Sequence, residues 1–291
     1  MKASYSTKID GLLGDIPVGD KHPVRVMGVI NLSSNSFYSG SVKNGPDEIV
    51  RSAVAMEEEG ADVIDVGARS TAPYRSYDIS VESEKRLLTQ AVRLVVGKVR
   101  IPISADTTRM EPAKAAIREG ATILNDAYGL TQRDAGDLAL LAAETKCSLI
   151  VTAHEARPLS GGSPVGRVMN ALKRATKLAS SLGVERRRII SDPGIGFFSD
   201  KKMSNVEWNC SVIALLARLR ALSYPICVGA SRKRFIGMIS GGDEASDRLG
   251  GSLAAAAIAV YNGCHVVRTH DVPETVQAVK VATEIKARER V

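Results

Sequence analysis

The amino-acid sequence predicts an α/β protein with a (β/α)8 fold, the TIM barrel. Three observations support this prediction. Short runs of β-branched residues alternate eight times with longer segments rich in Ala, Glu, Lys, Arg and Leu. The length of 291 residues suits a barrel, which takes about 250 residues plus extensions. Every predicted strand also has polar residues at its carboxyl end, where barrel enzymes place their active sites.

The predicted strands and helices alternate along the chain. The strands cover residues 25–31, 62–66, 101–106, 122–126, 148–154, 188–192, 226–230 and 265–269. The helices cover residues 46–59, 81–96, 111–119, 134–146, 165–182, 205–222, 247–261 and 273–288. Helix-start signals agree with this division, since Ser80 is a typical N-cap and Pro46 and Pro273 stand near helix starts.

The main alternative is an open, doubly wound parallel sheet. Such a sheet usually has fewer units and a glycine-rich phosphate turn after its first strand. Here the first strand runs instead into Asn-Leu-Ser-Ser-Asn-Ser-Phe at residues 31–37, which favours the barrel. Because no linker or low-complexity run divides the chain, we expect one barrel domain at residues 21–291, preceded by an N-terminal extension at residues 1–20.

Composition and charge narrow the function classes. No run approaches the roughly 20 apolar residues that cross a bilayer, and the N-terminus lacks an apolar signal core, so we expect a cytoplasmic protein without a membrane partner. The formal charge of +7 is spread along the chain beside one Trp and four Phe, which argues against nucleic acid and suits a polyanionic substrate. The four cysteines form no CxxC pair, which favours isolated buried thiols over a zinc or disulfide framework.

Carboxylate and amide side chains end three of the predicted strands. Asp106, Asn125 and Asp192 end the third, fourth and sixth strands. These groups can pair with the ring N–H and amino groups of a flat heterocycle. Each residue alone could equally cap a helix or shape a turn, but convergence from all eight strands favours a binding site.

Basic side chains follow the last two predicted strands. Lys233 comes after the seventh strand, and Arg268 and His270 end the eighth. These groups suit a phosphate or pyrophosphate, which barrels often bind near these two loops. The residues alone therefore predict an enzyme that binds a polar heterocycle beside an anion, without naming either.

Seven segments at these strand ends resemble the dihydropteroate synthase family of pterin-binding barrels. They occur in the family's order and read MGVINLSSNSF (27–37), GADVIDVG (60–67), ISADT (103–107), ATILND (121–126), DPGIGF (192–197), GASRKRF (229–235) and VRTHDV (267–272). The resemblance spans about residues 26–285. It implies a transferase of folate or methanopterin biosynthesis that condenses 6-hydroxymethyl-7,8-dihydropterin pyrophosphate with p-aminobenzoate or a related aryl amine and releases pyrophosphate.

The resemblance also implies roles for matched residues. Those implied to hold the pterin are Asp106, Asn125, Asp192 and Lys233. Those implied to hold the pyrophosphate are Asn31, Arg268 and His270, with Asn31 also implied to help place Mg2+, the expected cofactor. Those implied to flank the aryl amine are Thr71, Pro73, Phe197 and Ser231. The expected catalytic residues are Lys233, Arg268 and His270, and the expected assembly is a homodimer.

Several loop positions depart from the family's pattern. Asn35 stands where the family has an acidic residue, and Ala72 stands where it has a pyrophosphate-binding Arg, which Arg69 or Arg75 could replace. The segment after Phe197 lacks the family's Gly-Lys and reads Phe-Ser-Asp, and an alanine at position 153 replaces the usual Met of the pterin pocket.

These departures keep alternative functions open. A pterin-dependent methyltransferase, which passes a methyl group from methyl-tetrahydropterin to a corrinoid protein, would need neither the acidic residue of the first loop nor the arginine of the second. The basic groups after the seventh and eighth strands argue against it, because methyl transfer needs no anion site. A non-catalytic pterin-binding protein is the third hypothesis.

Overall fold

A computed structural model describes residues 8–32, 45–69, 79–132, 135–156, 161–198, 200, 202–242 and 244–289. Its strands are β1 (Asp10–Leu13), β2 (Ile16–Gly19), β3 (Arg25–Asn31), β4 (Val63–Gly67), β5 (Ile103–Asp106), β6 (Ile123–Asp126), β7 (Ser148–Thr152), β8 (Ile189–Asp192), β9 (Cys227–Val228) and β10 (Val266–Thr269). Its α-helices are α1 (Pro46–Glu58), α2 (Val81–Val95), α3 (Met110–Arg118), α4 (Ala135–Thr145), α5 (Pro164–Ser181), α6 (Asn205–Ala214), α7 (Arg234–Ser240), α8 (Leu249–Tyr261) and α9 (Val272–Arg288).

Eight of these strands form one parallel sheet. Their order is β8-β7-β6-β5-β4-β3-β10-β9, and a parallel bridge between Ser191 and Ile226 joins the two ends of the sheet. Strands such as β4 and β7 are buried along their whole length, as expected where helices cover one face and the barrel interior the other. The predicted (β/α)8 barrel is confirmed.

A β-hairpin closes the amino-terminal end of the barrel. It consists of β1 and β2 and lies within the predicted N-terminal extension. Leu13 and Val18 are fully buried and pack with interior residues of the barrel strands, including Met27 and Val266. Ser148 on β7 accepts a hydrogen bond from the backbone N–H of Gly14 at 2.9 Å and donates to the carbonyl of Leu12. The opposite, carboxyl end of the barrel therefore carries the polar residues.

Some element bounds differ from the prediction. The helix predicted at 205–222 is instead α6 followed by a 3-10 helix at Leu216–Leu222, and the Asn262 side chain donates to the carbonyl of Ile213 near the junction between them. The short helix α7 was not predicted. The strand predicted at 148–154 ends at Thr152, and His154 beyond it bonds the Thr131 hydroxyl through Nδ1 at 2.8 Å.

Three of the four cysteines are buried as predicted, and Cys210 is not. Cys147, Cys227 and Cys264 are buried, Cys210 is exposed, and all four are free thiols. Among the described residues, no helix combines the length and apolar character that a bilayer crossing requires.

Candidate active site

The strand register brings the predicted site residues to one end of the barrel. Asn31 on β3 is level with Gly67 on β4, Gly67 with Asp106 on β5, and Asp106 with Asn125 on β6. On the other side, Asp192 ends β8 level with Thr152. Because all these strands are parallel, their carboxyl ends form a single rim, as the sequence predicted.

Arg268 lies at the centre of this rim. Its Nε donates to Oδ2 of Asp65 at 2.6 Å, and its Nη2 donates to Oδ2 of Asp106 at 2.8 Å. Nδ2 of Asn125 donates to the same Asp65 oxygen at 3.1 Å. The arginine expected to bind an anion and two residues expected to bind the pterin therefore belong to one hydrogen-bonded network.

Asp65 is the residue of this network to which the sequence analysis gave no role. It is fully buried within β4, whose other residues are apolar or glycine. A carboxylate within an apolar strand could have indicated this role from the sequence, because a buried charge requires a partner. Asp65 orients both Arg268 and Asn125, so it is a positioning residue.

Two buried carboxylate oxygens of the network have no hydrogen-bond partner among the described residues. They are Oδ1 of Asp65 and Oδ1 of Asp106. An unsatisfied buried polar atom costs about 1–3 kcal/mol, which a donating ligand would recover. Burial raises the pKa of Asp106, although the charge of Arg268 opposes the change. Asp106 thus offers an acceptor at the level where a heterocycle N–H would bind.

Asp192 and Lys233 form the second polar group of the rim. Oδ1 of Asp192 accepts the backbone N–H of Gly194 at 2.7 Å, and burial raises the pKa of this carboxyl group. Nζ of Lys233 lies 4.6 Å from the ring centroid of Phe197. Burial and the charge of Arg268 lower the pKa of Lys233 to about 8, against the effect of Asp192. Lys233 is therefore a cation at neutral pH that loses its charge under mildly alkaline conditions.

His270 is not the cation that the sequence pattern suggested. Its Nδ1 lies 2.9 Å from Oγ of Ser231, and its backbone N–H also donates to that hydroxyl. Burial and the charges of Arg268, Lys233 and Arg232 lower the pKa of His270 to about 3. The imidazole is therefore neutral at pH 7, because it is buried and three cations already lie near it.

Arg232 supports the site without facing it. The guanidinium is buried, forms an ion pair with Asp271 and donates to the carbonyls of Ala245 and Ser246. These bonds hold the segment after β9 to the segment after β10. Arg232 thereby fixes the backbone on which Ser231 and Lys233 stand.

Arg69 lies on the β5 and β6 side of the rim. Its Nη2 donates to Oγ1 of Thr108 at 2.6 Å, and its Nε is 3.7 Å from the fully buried carboxylate of Glu84. The guanidinium also lies 5.7 Å from the ring centroid of Tyr128. Arg69 is thus fixed beside Asp106, whose pKa its charge lowers.

Some of the predicted site lies outside the described residues. These positions are Asn35, Thr71, Ala72, Pro73 and Arg75. Every other residue predicted for the site is at the carboxyl end of the barrel: Asn31, Asp106, Asn125, Asp192, Phe197, Ser231, Lys233, Arg268 and His270. The individual roles of these residues stay predictions.

Comparison with known proteins agrees with this geometry. Residues 27–270 match the model of the family described as pterin binding enzyme. The dihydropteroate synthase of Escherichia coli K12 is 33% identical over 266 residues, which cover 89% of this chain and 90% of that protein. A probable bifunctional folylpolyglutamate synthase/dihydropteroate synthase of Haloferax volcanii is 35% identical over 263 residues, or 88% of this chain, and this chain spans only 30% of that longer protein.

A solved structure is similar over nearly the whole fold. The Xanthomonas albilineans dihydropteroate synthase with 4-aminobenzoic acid has a TM-score of 0.84 and 30% sequence identity, with 97% of this chain and 99% of that chain covered. The family match, the relatives and the barrel rim all agree. The chain belongs to the dihydropteroate synthase family of pterin-binding enzymes.

Proposed function

We propose that the chain is a dihydropteroate synthase-type transferase. It condenses 6-hydroxymethyl-7,8-dihydropterin pyrophosphate with p-aminobenzoate or a related aryl amine and releases pyrophosphate. The observation that carries this proposal is the network in which Arg268 is held between Asp65 and Asp106 at the carboxyl end of the barrel. It places an anion-binding group directly beside acceptors for a heterocycle.

The acceptors and Lys233 hold the pterin. Asp106 and Asp192 accept hydrogen bonds from the ring N–H and amino groups of the pterin. Because Nδ2 of Asn125 donates to Asp65, its amide oxygen faces away from that carboxylate and can accept from the ligand. Lys233 supplies a cation for the carbonyl side of the ring.

Arg268 and His270 stabilise the leaving group. Breaking the bond between the methylene carbon and the pyrophosphate oxygen puts negative charge on the pyrophosphate, and donors already in place lower that barrier. Asp65 fixes Arg268 before the substrate arrives. His270 acts as a neutral N–H donor in the free protein. The neutral amine attacks the methylene carbon, so this step requires no strong protein base.

The residues present fit a Mg2+ ion at Asn31. The amide oxygen of Asn31 is a hard donor at the end of β3, and Mg2+ usually combines one or two protein ligands with water and substrate phosphate oxygens. The described residues contain no cluster of three or more His, Cys, Asp or Glu side chains able to hold a metal ion. When bound, the ion would neutralise charge on the pyrophosphate.

The amine side of the site is built around Phe197 and Ser231. We place the aryl amine against these residues, together with Thr71 and Pro73 of the second loop. Support comes from the related Xanthomonas enzyme, which binds 4-aminobenzoic acid. Because the first and second loops depart from the family's pattern, a modified amine such as a ribofuranosylated aminobenzene is a candidate alongside p-aminobenzoate.

The test is turnover with defined substrates. Purified protein is incubated with the dihydropterin pyrophosphate, Mg2+ and each candidate amine, and pyrophosphate release is followed. We expect release that depends on the amine, and no turnover with any amine would refute the proposal. The arginine network disfavours the methyltransferase alternative, which would bind methyl-tetrahydropterin without affinity for pyrophosphate.

We also propose a homodimer that forms through helices α7, α8 and α9. These helices expose large apolar side chains: Met238, Ile239, Ile258, Tyr261, Val281 and Ile285. A group of exposed apolar side chains of this kind is typical of an interaction surface. The molar mass in solution, measured by light scattering for the wild type and for Ile258→Glu, tests this assembly. We expect a dimer for the wild type and a monomer for the variant.

A further inference from the structure

The strongest unassigned feature lies beside the active site, where a buried arginine on α5 joins the segments after β7 and β8 to helix α6. Arg167 on α5 donates through Nε and Nη2 to the two carboxylate oxygens of Glu155 at 3.0 and 2.5 Å. Its Nη1 donates to Oδ2 of Asp200. All three side chains are less than one-tenth exposed. We call these three residues the Arg167 clamp.

The Arg167 clamp also holds aromatic side chains. The guanidinium lies 4.5 Å from the ring centroid of Trp208, and Trp208 stacks on Phe198 with centroids 5.0 Å apart and planes 17° apart. Trp208 and Phe198 are buried. Asp200 and Phe198 both belong to the segment after β8, so the clamp fixes the far end of that segment.

The near end of the same segment is fixed at the active site. The backbone N–H of Gly196 donates to Oδ1 of the fully buried Asn209 at 2.7 Å. At Gly196, with φ of +85°, an added Cβ would lie 3.2 Å from Cδ of Lys233. Phe197 then places its ring 4.6 Å from Nζ of Lys233. The position of Phe197 therefore depends on bonds made on both sides of it.

We infer that Arg167 is a positioning residue for the aryl-amine side of the reaction. It acts through Asp200 and Trp208 on the segment 193–198, and thereby sets where the Phe197 ring lies against Lys233. After Phe197 this chain reads Phe-Ser-Asp instead of the family's Gly-Lys, and the clamp contacts Phe198 through Trp208 and Asp200 directly. This chain therefore holds the segment by contacts of its own. The inference rests on the proposed function, because that function places the amine at Phe197.

The charge balance explains why the clamp is selective for arginine. Two buried carboxylates face one guanidinium, and hydrogen bonds from the Lys202 backbone and from Arg167 hold the pKa of Asp200 below its usual range. A lysine would keep the charge but could not bond both oxygens of Glu155, reach Asp200 and stack on Trp208 together. Arg167→Lys is therefore a mild substitution that loosens the segment.

The matched control is Arg186→Lys. Arg186 also stacks on an aromatic ring, lying 4.3 Å from the centroid of Tyr224, and donates to the carbonyls of Leu222 and Ser223. It precedes β8, at the opposite end of the barrel from the site. Any general effect of replacing a stacked arginine appears in both variants.

The experiment measures structure and kinetics on the full chain. Trp208 is the only tryptophan of the sequence, so its emission reports on the clamp. We expect Arg167→Lys to shift this emission to the red, to speed amide exchange in the segment 193–198, and to raise the KM for p-aminobenzoate about tenfold. The KM for the dihydropterin pyrophosphate should change less than about twofold, and Arg186→Lys should leave both KM values unchanged.

A double-mutant cycle with Phe197→Ala separates positioning from general loosening. If Arg167 acts through Phe197, Arg167→Lys adds no further increase in amine KM when the ring is absent. An unchanged amine KM, an equal increase in both KM values, or additive effects in the cycle would overturn the inference. If the wild type and Arg186→Lys are both inactive with every amine, the proposed function fails and the inference fails with it.

Discussion

Replacing Asp65 by Asn tests whether the buried carboxylate is what prepares Arg268 for the leaving group. The substitution keeps the shape of the side chain and removes its charge. One Asn oxygen can still accept from Arg268 Nε and Asn125 Nδ2, which now share an oxygen of Asp65 at 2.6 and 3.1 Å. The variant therefore isolates the effect of charge from the effect of packing.

The expected loss follows from the two hydrogen bonds. A bond to a charged group contributes about 1.5–3 kcal/mol and a neutral one about 0.5–1.5 kcal/mol. The Asn125 bond becomes neutral, while the Arg268 bond loses the carboxylate charge but keeps that of the arginine, so the two bonds lose about 2 kcal/mol together. Because Arg268 is one-fifth exposed, solvent recovers part of this amount. If the rest of this energy is lost from the stabilisation of the transition state, kcat falls about tenfold, since each 1.36 kcal/mol is a factor of ten.

The pH dependence of kcat/KM is a second, independent test of the role of Asp65. The charge of Asp65 contributes to the raised pKa of Asp106, so the pKa of Asp106 falls when Asp65 becomes Asn. Asp106 must be ionised to accept from the pterin, and activity is lost as pH falls through its pKa. The acidic limb of kcat/KM should therefore move to lower pH in Asp65→Asn.

The assay is the pyrophosphate-release rate across pH, with folded protein confirmed by its thermal transition. Asp62→Asn is the control, because Asp62 pairs with Arg25 at 3.0 Å near the amino end of β4. This control should lose stability and keep its kcat and its acidic limb. A variant Asp65→Asn with wild-type kcat and an unmoved acidic limb would refute the proposed role of Asp65.

Three further predictions concern single residues. The pKa of Lys233 is lowered to about 8, so kcat/KM for the dihydropterin substrate should fall as pH rises through about 8, and Lys233→Arg should move this alkaline limb upward even if the rate is lower. An unmoved limb would exclude Lys233 as its source. Because the pKa of His270 is lowered to about 3, His270→Gln should lower kcat but keep the shape of the pH–rate profile between pH 5 and 8, and a limb lost on substitution would contradict neutrality. Leu13→Ala should cost about 2–5 kcal/mol of unfolding free energy in denaturant titration, because Leu13 is fully buried. Its kcat per folded molecule should stay at the wild-type value, and a reduced kcat would show that the hairpin end of the barrel influences the site.

The repeating strands and the polar rim could be predicted from sequence because both depend on local patterns. Parallel strands need apolar runs, and the residues at their carboxyl ends converge in any closed barrel. Asp106, Asn125 and Asp192 follow from that rule alone. The prediction that the site binds a heterocycle beside an anion rests on the residue types at these positions.

The partners of these residues could not be predicted in the same way. The bond between Asp65 and Arg268 joins residues 203 positions apart, and only the closed barrel brings them together. The neutrality of His270 depends on its burial and on the cations around it, which no single motif encodes. The hairpin was missed because its two strands have only four residues each and their apolar side chains are buried against distant barrel strands.

That hairpin has a consequence for the order in which the protein folds. Leu13 and Val18 precede every barrel strand that they pack against, and their partners include Val266 on the last strand. Contacts between residues so far apart in sequence form late and slow the folding of a chain. During synthesis the hairpin cannot complete its buried contacts until β10 has left the ribosome, so the packing of the barrel interior is completed late.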